Sequence, residues 1–116
     1  MTRVLIVDDH PTFRATARAV LESEGYEVVG EASDGAAALE AASSLRPEVV
    51  LLDVCLPDTD GFRVAAELTA NGTGPCVVLT SSRDAADFGS LVSESGARGF
   101  LAKADLSGAA LAALLR

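Results

Sequence analysis

The chain has 116 residues, with 9 Lys and Arg against 17 Asp and Glu and a formal net charge of -8. Its 49% hydrophobic and 22% charged content is that of an ordinary single globular domain, which excludes intrinsic disorder, a collagen-like repeat and a disulfide scaffold. The acidic balance and the lack of any basic run argue against direct nucleic-acid binding, and the opening run Val4-Leu5-Ile6-Val7 is too short for a signal or membrane segment, so a cytoplasmic protein is expected.

Short apolar runs alternate with longer stretches of helical period, the pattern of a parallel sheet flanked by helices. The first run, Arg3 to Val7, is followed by Phe13, Ala17, Val20 and Leu21 at helical spacing. Pro11 lies near the start of that helix and Gly25 just past its end, and Arg14 and Arg18 fall on its outward side. A second run, Glu27 to Ala32, leads through the turn and cap signal Ser33-Asp34-Gly35 into a strong helix former, Ala36 to Leu45, that stops before Pro47. The third run is Val49 to Asp53. Gly61 then precedes a helical stretch, Phe62 to Ala70, which ends at Asn71-Gly72.

After the fourth run, Cys76 to Thr80, the spacing predicts a helix from about Asp84 to Ser95 with Phe88, Leu91 and Val92 on one face; Gly89 and several serines weaken it, and Gly96 stops it. The fifth run, Arg98 to Ala102, precedes a last helix, Leu106 to Arg116. Leu111, Leu114 and Leu115 mark one side of it, and only Ala109, Ala112 and Ala113 the other. So uncharged a helix either covers more than its own core or is simply an alanine-rich surface helix of high propensity. Cys55 and Cys76 lack metal-ligand spacing and read as reduced thiols.

Right-handed crossovers bring the C-terminal ends of all the strands to one edge, where open α/β folds bind ligands. Asp8 and Asp9 end the first strand, Asp53 the third, Thr80, Ser81 and Ser82 the fourth, and the fifth runs into Lys103. Crowded carboxylates repel one another and call for a cation. Hard oxygen donors with no His or Cys nearby point to Mg²⁺, which takes one or two carboxylates and a phosphate oxygen. That leaves Asp53 as the natural nucleophile toward a phosphoryl group, with Lys103 neutralising the incoming charge. Taken singly, each aspartate reads more readily as ending a strand and capping the next helix; it is their coincidence with Lys103 that points to a site.

These residues resemble the receiver domain of two-component response regulators over essentially the whole chain. Val4-Leu5-Ile6-Val7-Asp8-Asp9-His10-Pro11 resembles that family's first strand and acidic pair. Val49-Val50-Leu51-Leu52-Asp53 with Leu56-Pro57-Asp58-Thr59-Asp60-Gly61 resembles its phosphoacceptor strand and loop, and Gly96-Ala97-Arg98-Gly99-Phe100-Leu101-Ala102-Lys103 its Lys-bearing fifth strand. The Asp-His-Pro opening, and Ala104-Asp105 in place of a proline after the lysine, are more like the receivers of helix-turn-helix transcription factors.

The resemblance implies a flavodoxin-like (βα)5 fold with strand order 2-1-3-4-5. It implies that Asp53 takes phosphate from a sensor histidine kinase or phosphotransfer protein, and that Asp9, Asp53 and the Cys55 backbone carbonyl bind Mg²⁺ directly, with Asp8 acting through water. Lys103, Ser81 and Ser82 would contact the phosphoryl oxygens. The switch hydroxyl is Thr80 counting from Pro75 and Ser81 counting back from Lys103, with Ser81 preferred, and Phe100 takes the aromatic switch position.

A phosphoryl group would then alter the face of the fourth helix, fifth strand and fifth helix, used by an output partner or a second copy. The chain reads as one receiver domain over residues 1–116, a signalling phosphoacceptor rather than an enzyme, standing alone or cut from a longer regulator. A receiver-like scaffold that binds partners without phosphorylation is the alternative. A flavin-binding flavodoxin is disfavoured because Asp8 and Asp9 would repel its phosphate. A haloacid-dehalogenase-type phosphatase needs a second aspartate where Cys55 stands.

Overall fold

The five apolar runs form one parallel sheet in the order β2-β1-β3-β4-β5. Its strands are β1 (Arg3–Val7), β2 (Glu27–Ala32), β3 (Val49–Asp53), β4 (Cys76–Ser81) and β5 (Gly99–Ala102). The connecting helices are α1 (Pro11–Ser23), α2 (Gly35–Leu45), α3 (Gly61–Thr69), α4 (Leu91–Glu94) and α5 (Gly108–Leu115). The computed structural model describes residues 1–116. Every strand is flanked by helices on both sides, and this is why β1 and β3 read as unbroken apolar runs rather than alternating ones.

Strand alternation divides the core in two. Leu5, Val7, Val50, Leu52, Val77 and Leu79 face α2 and α3, where Ala38, Ala42, Val64 and Ala65 meet them. Val4, Ile6, Val49, Leu51, Val78 and Leu101 face α1 and α5, against Ala17, Leu21 and Leu111. The small residues on α2 let it lie close to the sheet. Asp34, Asp60 and Ser107 cap α2, α3 and α5, their side chains accepting from the N–H groups of Ala37, Arg63 and Ala110, each such cap contributing about 1 kcal/mol.

The loop after β3 is tied down tightly. Val54 N–H donates to Thr80 O at 3.0 Å and Gly61 N–H to Val54 O at 2.8 Å, while Cys55 and Asp60 form an isolated antiparallel bridge. A Cβ on Gly61 would lie 2.3 Å from Asp53 O and 2.8 Å from Val54 Cα. Both are backbone atoms and cannot swing aside. Gly61→Ala is therefore expected to lower stability by about 1 to 3 kcal/mol, read from a urea melt, and to displace the end of β3.

Three expectations are corrected. The fourth helix is a short 3₁₀ turn, Ala85–Phe88, followed by one turn of α-helix, Leu91–Glu94. Gly89 between them has a φ of 57°, which interrupts the helical hydrogen bonds, and the hydroxyls of Ser93 and Ser95 turn back onto the carbonyls of Ser90 and Val92. Phe88 and Val92 pack on the core as expected, whereas Leu91 is exposed.

The last helix starts at Gly108 rather than Leu106, because Lys103–Asp105 form a 3₁₀ turn and Ser107 is the cap. Leu111 alone of its leucines is fully buried; Leu114 and Leu115 are half-buried and Ala109 and Ala113 exposed. Arg14 and Arg18 are not simply outward. Both fold onto Glu31 of β2, at 3.0 and 2.7 Å.

Candidate phosphoacceptor and metal site

At the C-terminal edge of the sheet, β1 delivers Asp8, β3 delivers Asp53 and β5 runs directly into Lys103. Asp8 and Asp53 are buried, and the Lys103 ammonium stands between them, 2.6 Å from Asp8 Oδ2 and 3.3 Å from Asp53 Oδ2. The other Asp53 oxygen accepts from Cys55 N–H at 3.2 Å. Asp9 is more exposed, and its Oδ1 lies 3.1 Å from His10 Nδ1, the same distance that separates this nitrogen from Asp8 Oδ1. The lysine also lies over the ring of Phe13 on α1, 4.6 Å from its centroid. One aromatic face and two carboxylates thus hold the cation in place.

These neighbours set the ionisation. Burial above all, and then the charge of Asp8, push the Asp53 carboxyl above the ordinary aspartate range; the Cys55 N–H and Lys103 oppose this. For Lys103 burial works against the ammonium, yet the hydrogen bonding and charge of Asp8 and Asp53 outweigh it and hold the pKa above the usual lysine value.

The donor set fits a divalent cation. One ligand atom from each of Asp8, Asp9, His10 and Asp53 lies within 4.8 Å of the others. Asp8 Oδ2 is buried and has no partner besides the Lys103 ammonium 2.6 Å away. His10 stands among the carboxylates, which corrects the expectation of a site without histidine nearby, and the oxygen donors of Asp8, Asp9 and Asp53 suit Mg²⁺.

The capping alternative for the aspartates is not what the structure shows. The N-cap of α1 is His10, without a side-chain cap bond, and that of α3 is Asp60. Asp8, Asp9 and Asp53 instead meet at the sheet edge. Of the hydroxyls at the end of β4, Ser81 is buried and accepts from Arg83 N–H at 3.0 Å, while Ser82, just past the strand, is exposed.

Strand alternation puts Ser81 with Leu79, on the face where Phe100 packs. Thr80, paired in register with Asp53, shares the Asp53 side of the sheet, opposite to Phe100, with its hydroxyl buried and unpartnered. Phe100 continues a chain of aromatic contacts, 5.8 Å from Phe88, which is 5.5 Å from Phe62. Both cysteines are free.

Sequence reasoning missed two supports of the site. Arg14 Nη1 donates to the Asp8 carbonyl at 2.6 Å. Asp58 accepts from Gly35 and Ala36 N–H at 2.8 and 3.0 Å, joining the loop after β3 to the first turn of α2. Those two backbone donors hold the Asp58 carboxyl below its ordinary range.

A depressed folded pKa contributes stability that is complete above the unfolded value and lost as pH falls through the folded one. Asp58→Ala is expected to melt a few degrees lower than wild type at neutral pH, with the gap closing below about pH 4, as thermal melts across pH will show.

The sequence model of the response regulator receiver domain matches residues 4–115. The chain belongs to that family. The transcriptional regulatory protein PdtaR of Mycobacterium tuberculosis is 40% identical over 103 residues, which cover 87% of this chain and 49% of PdtaR. The receiver thus spans about half the length of the curated relatives it matches.

Among solved structures it is similar to the signal receiver domain of NarL from Mycobacterium tuberculosis, with a TM-score of 0.86, 38% identity, and coverage of 98% of this chain and 96% of that one. The chemotaxis response regulator CheY4 of Vibrio cholerae gives a TM-score of 0.82 at 27% identity, over 99% of this chain and 96% of that one. The receiver has the flavodoxin-like arrangement expected from its sequence. No helix in it is long and apolar enough to cross a membrane.

Proposed function

We propose that this receiver is a cytoplasmic phosphoacceptor in which Asp53 takes a phosphoryl group from a phosphohistidine on a sensor histidine kinase or phosphotransfer protein. The observation that carries this reading is the placement of the buried Asp53 carboxylate, at the end of the central strand β3, beside the ammonium it shares with Asp8: Asp53 Oδ2 lies 3.3 Å from Lys103 Nζ at the C-terminal edge of the sheet. An Asp53 oxygen attacks phosphorus, the bond from phosphorus to the imidazole nitrogen breaks, and the imidazole leaves with its electron pair. Lys103 offsets charge on the phosphoryl oxygens, and Cys55 N–H holds the second Asp53 oxygen in place. Asp9, Asp53 and the Cys55 carbonyl would hold Mg²⁺, with Asp8 acting through water. When bound, this ion supplies the positive charge that lets two anions approach.

Ser81 is the hydroxyl through which the phosphoryl group is sensed, with Ser82 beside it. Its support is positional: Ser81 shares a face with Phe100 and is tied to the loop after β4 through Arg83, so a shift of its hydroxyl reaches both. The interrupted Gly89 segment and short α4 have little holding them, as suits a moving element. The face of α4, β5 and α5 then binds an output partner or a second copy. With residues 1–116 forming one receiver domain of net charge -8, that partner is a protein rather than a nucleic acid or a membrane.

Amide NMR with Mg²⁺ and beryllofluoride, a phosphoryl stand-in, tests the switch. Shifts at Phe100 and Leu91–Glu94 are expected in wild type and in Thr80→Val, and lost in Ser81→Ala, as a coupling of about 1 to 3 kcal/mol requires. The reverse pattern assigns the switch to Thr80 and overturns the choice of Ser81.

A further inference from the structure

The end of β1 poses a backbone problem that the acidic residues do not solve themselves. The ladders of β1 stop at Val7, which pairs with Ala32 on one side and Leu52 on the other. Asp8 N–H still finds a strand partner, donating to Ala32 O at 3.0 Å, but the Asp8 carbonyl lies beyond the sheet. It is the carbonyl of the peptide joining Asp8 to Asp9, so its direction sets where the Asp9 carboxylate starts.

Arg14, one turn into α1, takes that carbonyl through Nη1 at 2.6 Å and holds Glu31 Oε1 through Nε at 3.0 Å. The second oxygen of Glu31 is held in turn by Arg18 Nε at 2.7 Å, and Arg18 reaches Glu22 at 3.3 Å. The Arg14 side chain is only 18% exposed, which leaves little of it for a protein partner. Its donors are directed inward, at the site's backbone and at β2.

We propose that Arg14 is a positioning residue for the acidic site, clamped by Glu31 so that the peptide between Asp8 and Asp9 is fixed with both carboxylates aimed at one cation. The inference rests on the proposed Mg²⁺ reading of that site. A fork is needed for the task. Nη1 and Nε sit in one rigid plane and serve the carbonyl and the carboxylate together, whereas a lysine ammonium on a flexible stem carries the same charge without that geometry. Loss of the clamp frees the Asp8 carbonyl to turn toward water, and the Asp9 carboxylate loses its fixed starting direction while the core stays untouched.

Mg²⁺ titrations followed by amide NMR on the full chain test this, with melting temperatures recorded in parallel. Arg14→Lys and Glu31→Gln are each expected to weaken Mg²⁺ binding about tenfold, as loss of groups that orient metal ligands does, with small changes in melting temperature. The double variant should bind no more weakly than Arg14→Lys alone, because the two residues act in series. In the metal-free protein the carbonyl ¹³C shift of Asp8 should move in Arg14→Lys.

Affinities within about twofold of wild type in both variants overturn the proposal, as does an Arg14→Lys that binds normally while Arg14→Leu does not, since charge alone would then suffice. Wild type and Asp9→Asn separate the two levels of failure. If wild type shows no saturable binding, the metal reading falls and the proposal with it; if wild type binds, Asp9→Asn does not and the Arg14 variants match wild type, the proposal alone falls.

Discussion

Replacing Lys103 with Met is expected to lower stability by about 3 kcal/mol in the absence of divalent cations, because it leaves two buried carboxylates without their shared counter-charge. For a domain of this size that is a fall in melting temperature of roughly 10 to 20 °C. The ammonium contacts both Asp8 and Asp53 and is largely enclosed, so solvent does not replace it.

Two further signs follow from the same geometry. Saturating Mg²⁺ should restore much of the loss by returning positive charge to the carboxylates. Acid should do so as well: the folded pKa of Asp53 is raised, so the native state binds its proton more tightly than the unfolded chain does, and stability rises as pH falls through the folded value. The variant is thus expected to gain stability as pH falls from neutral toward the unfolded aspartate value. In wild type the raised pKa of Lys103 works the other way. Its contribution is complete below the unfolded lysine value and lost as pH climbs through the folded one. Thermal melts of both proteins across pH, with and without Mg²⁺, read all of this; a Lys103→Met that melts with wild type would contradict the ion-pair account.

Asp53→Asn has the largest expected effect on function, reducing phosphate uptake to background. The amide keeps the shape of the side chain but lacks the anionic oxygen that forms the acyl phosphate. Stability should move in the opposite direction. At neutral pH the Asp53 charge is held against burial and against Asp8, so the neutral amide should raise the metal-free melting temperature by a few degrees. A variant that is folded, more stable and unable to accept phosphate separates chemistry from structure. One that still incorporates phosphate would move the nucleophile elsewhere in the acidic cluster.

Much of this arrangement was legible in the residues. The uninterrupted apolar runs of β1 and β3, each ended by aspartate, told of strands covered on both sides and of carboxylates delivered to one edge. Asp34 and Ser107 show how far local signals reach. The first reads as a cap beside Ser33 and Gly35, whereas Ser107 shows itself as one only after the 3₁₀ turn Lys103–Asp105, so apolar spacing alone starts the last helix two residues early, at Leu106.

The fourth helix was harder. Gly89 and its neighbouring serines signalled weakness, but how far the helix breaks up depends on a positive φ and on hydroxyls turning onto local carbonyls. Arg14, Glu31 and Asp58 were the least legible, since their partners are backbone groups or side chains brought near only by the crossovers. A charge at helical spacing reads as solvent-facing until a strand edge is placed beside it. Strand pairing likewise supplies what counting could not, a face for Thr80 and another for Ser81.

The most direct test of the central claim is the intact mass of the wild-type receiver after incubation with acetyl phosphate and Mg²⁺, followed by peptide mapping. The account predicts a single phosphate adduct that maps to Asp53, is lost in mild base as an acyl phosphate should be, and is absent when Mg²⁺ is withheld. No adduct, under conditions that label another receiver, would contradict it and favour a scaffold that binds its partners unphosphorylated.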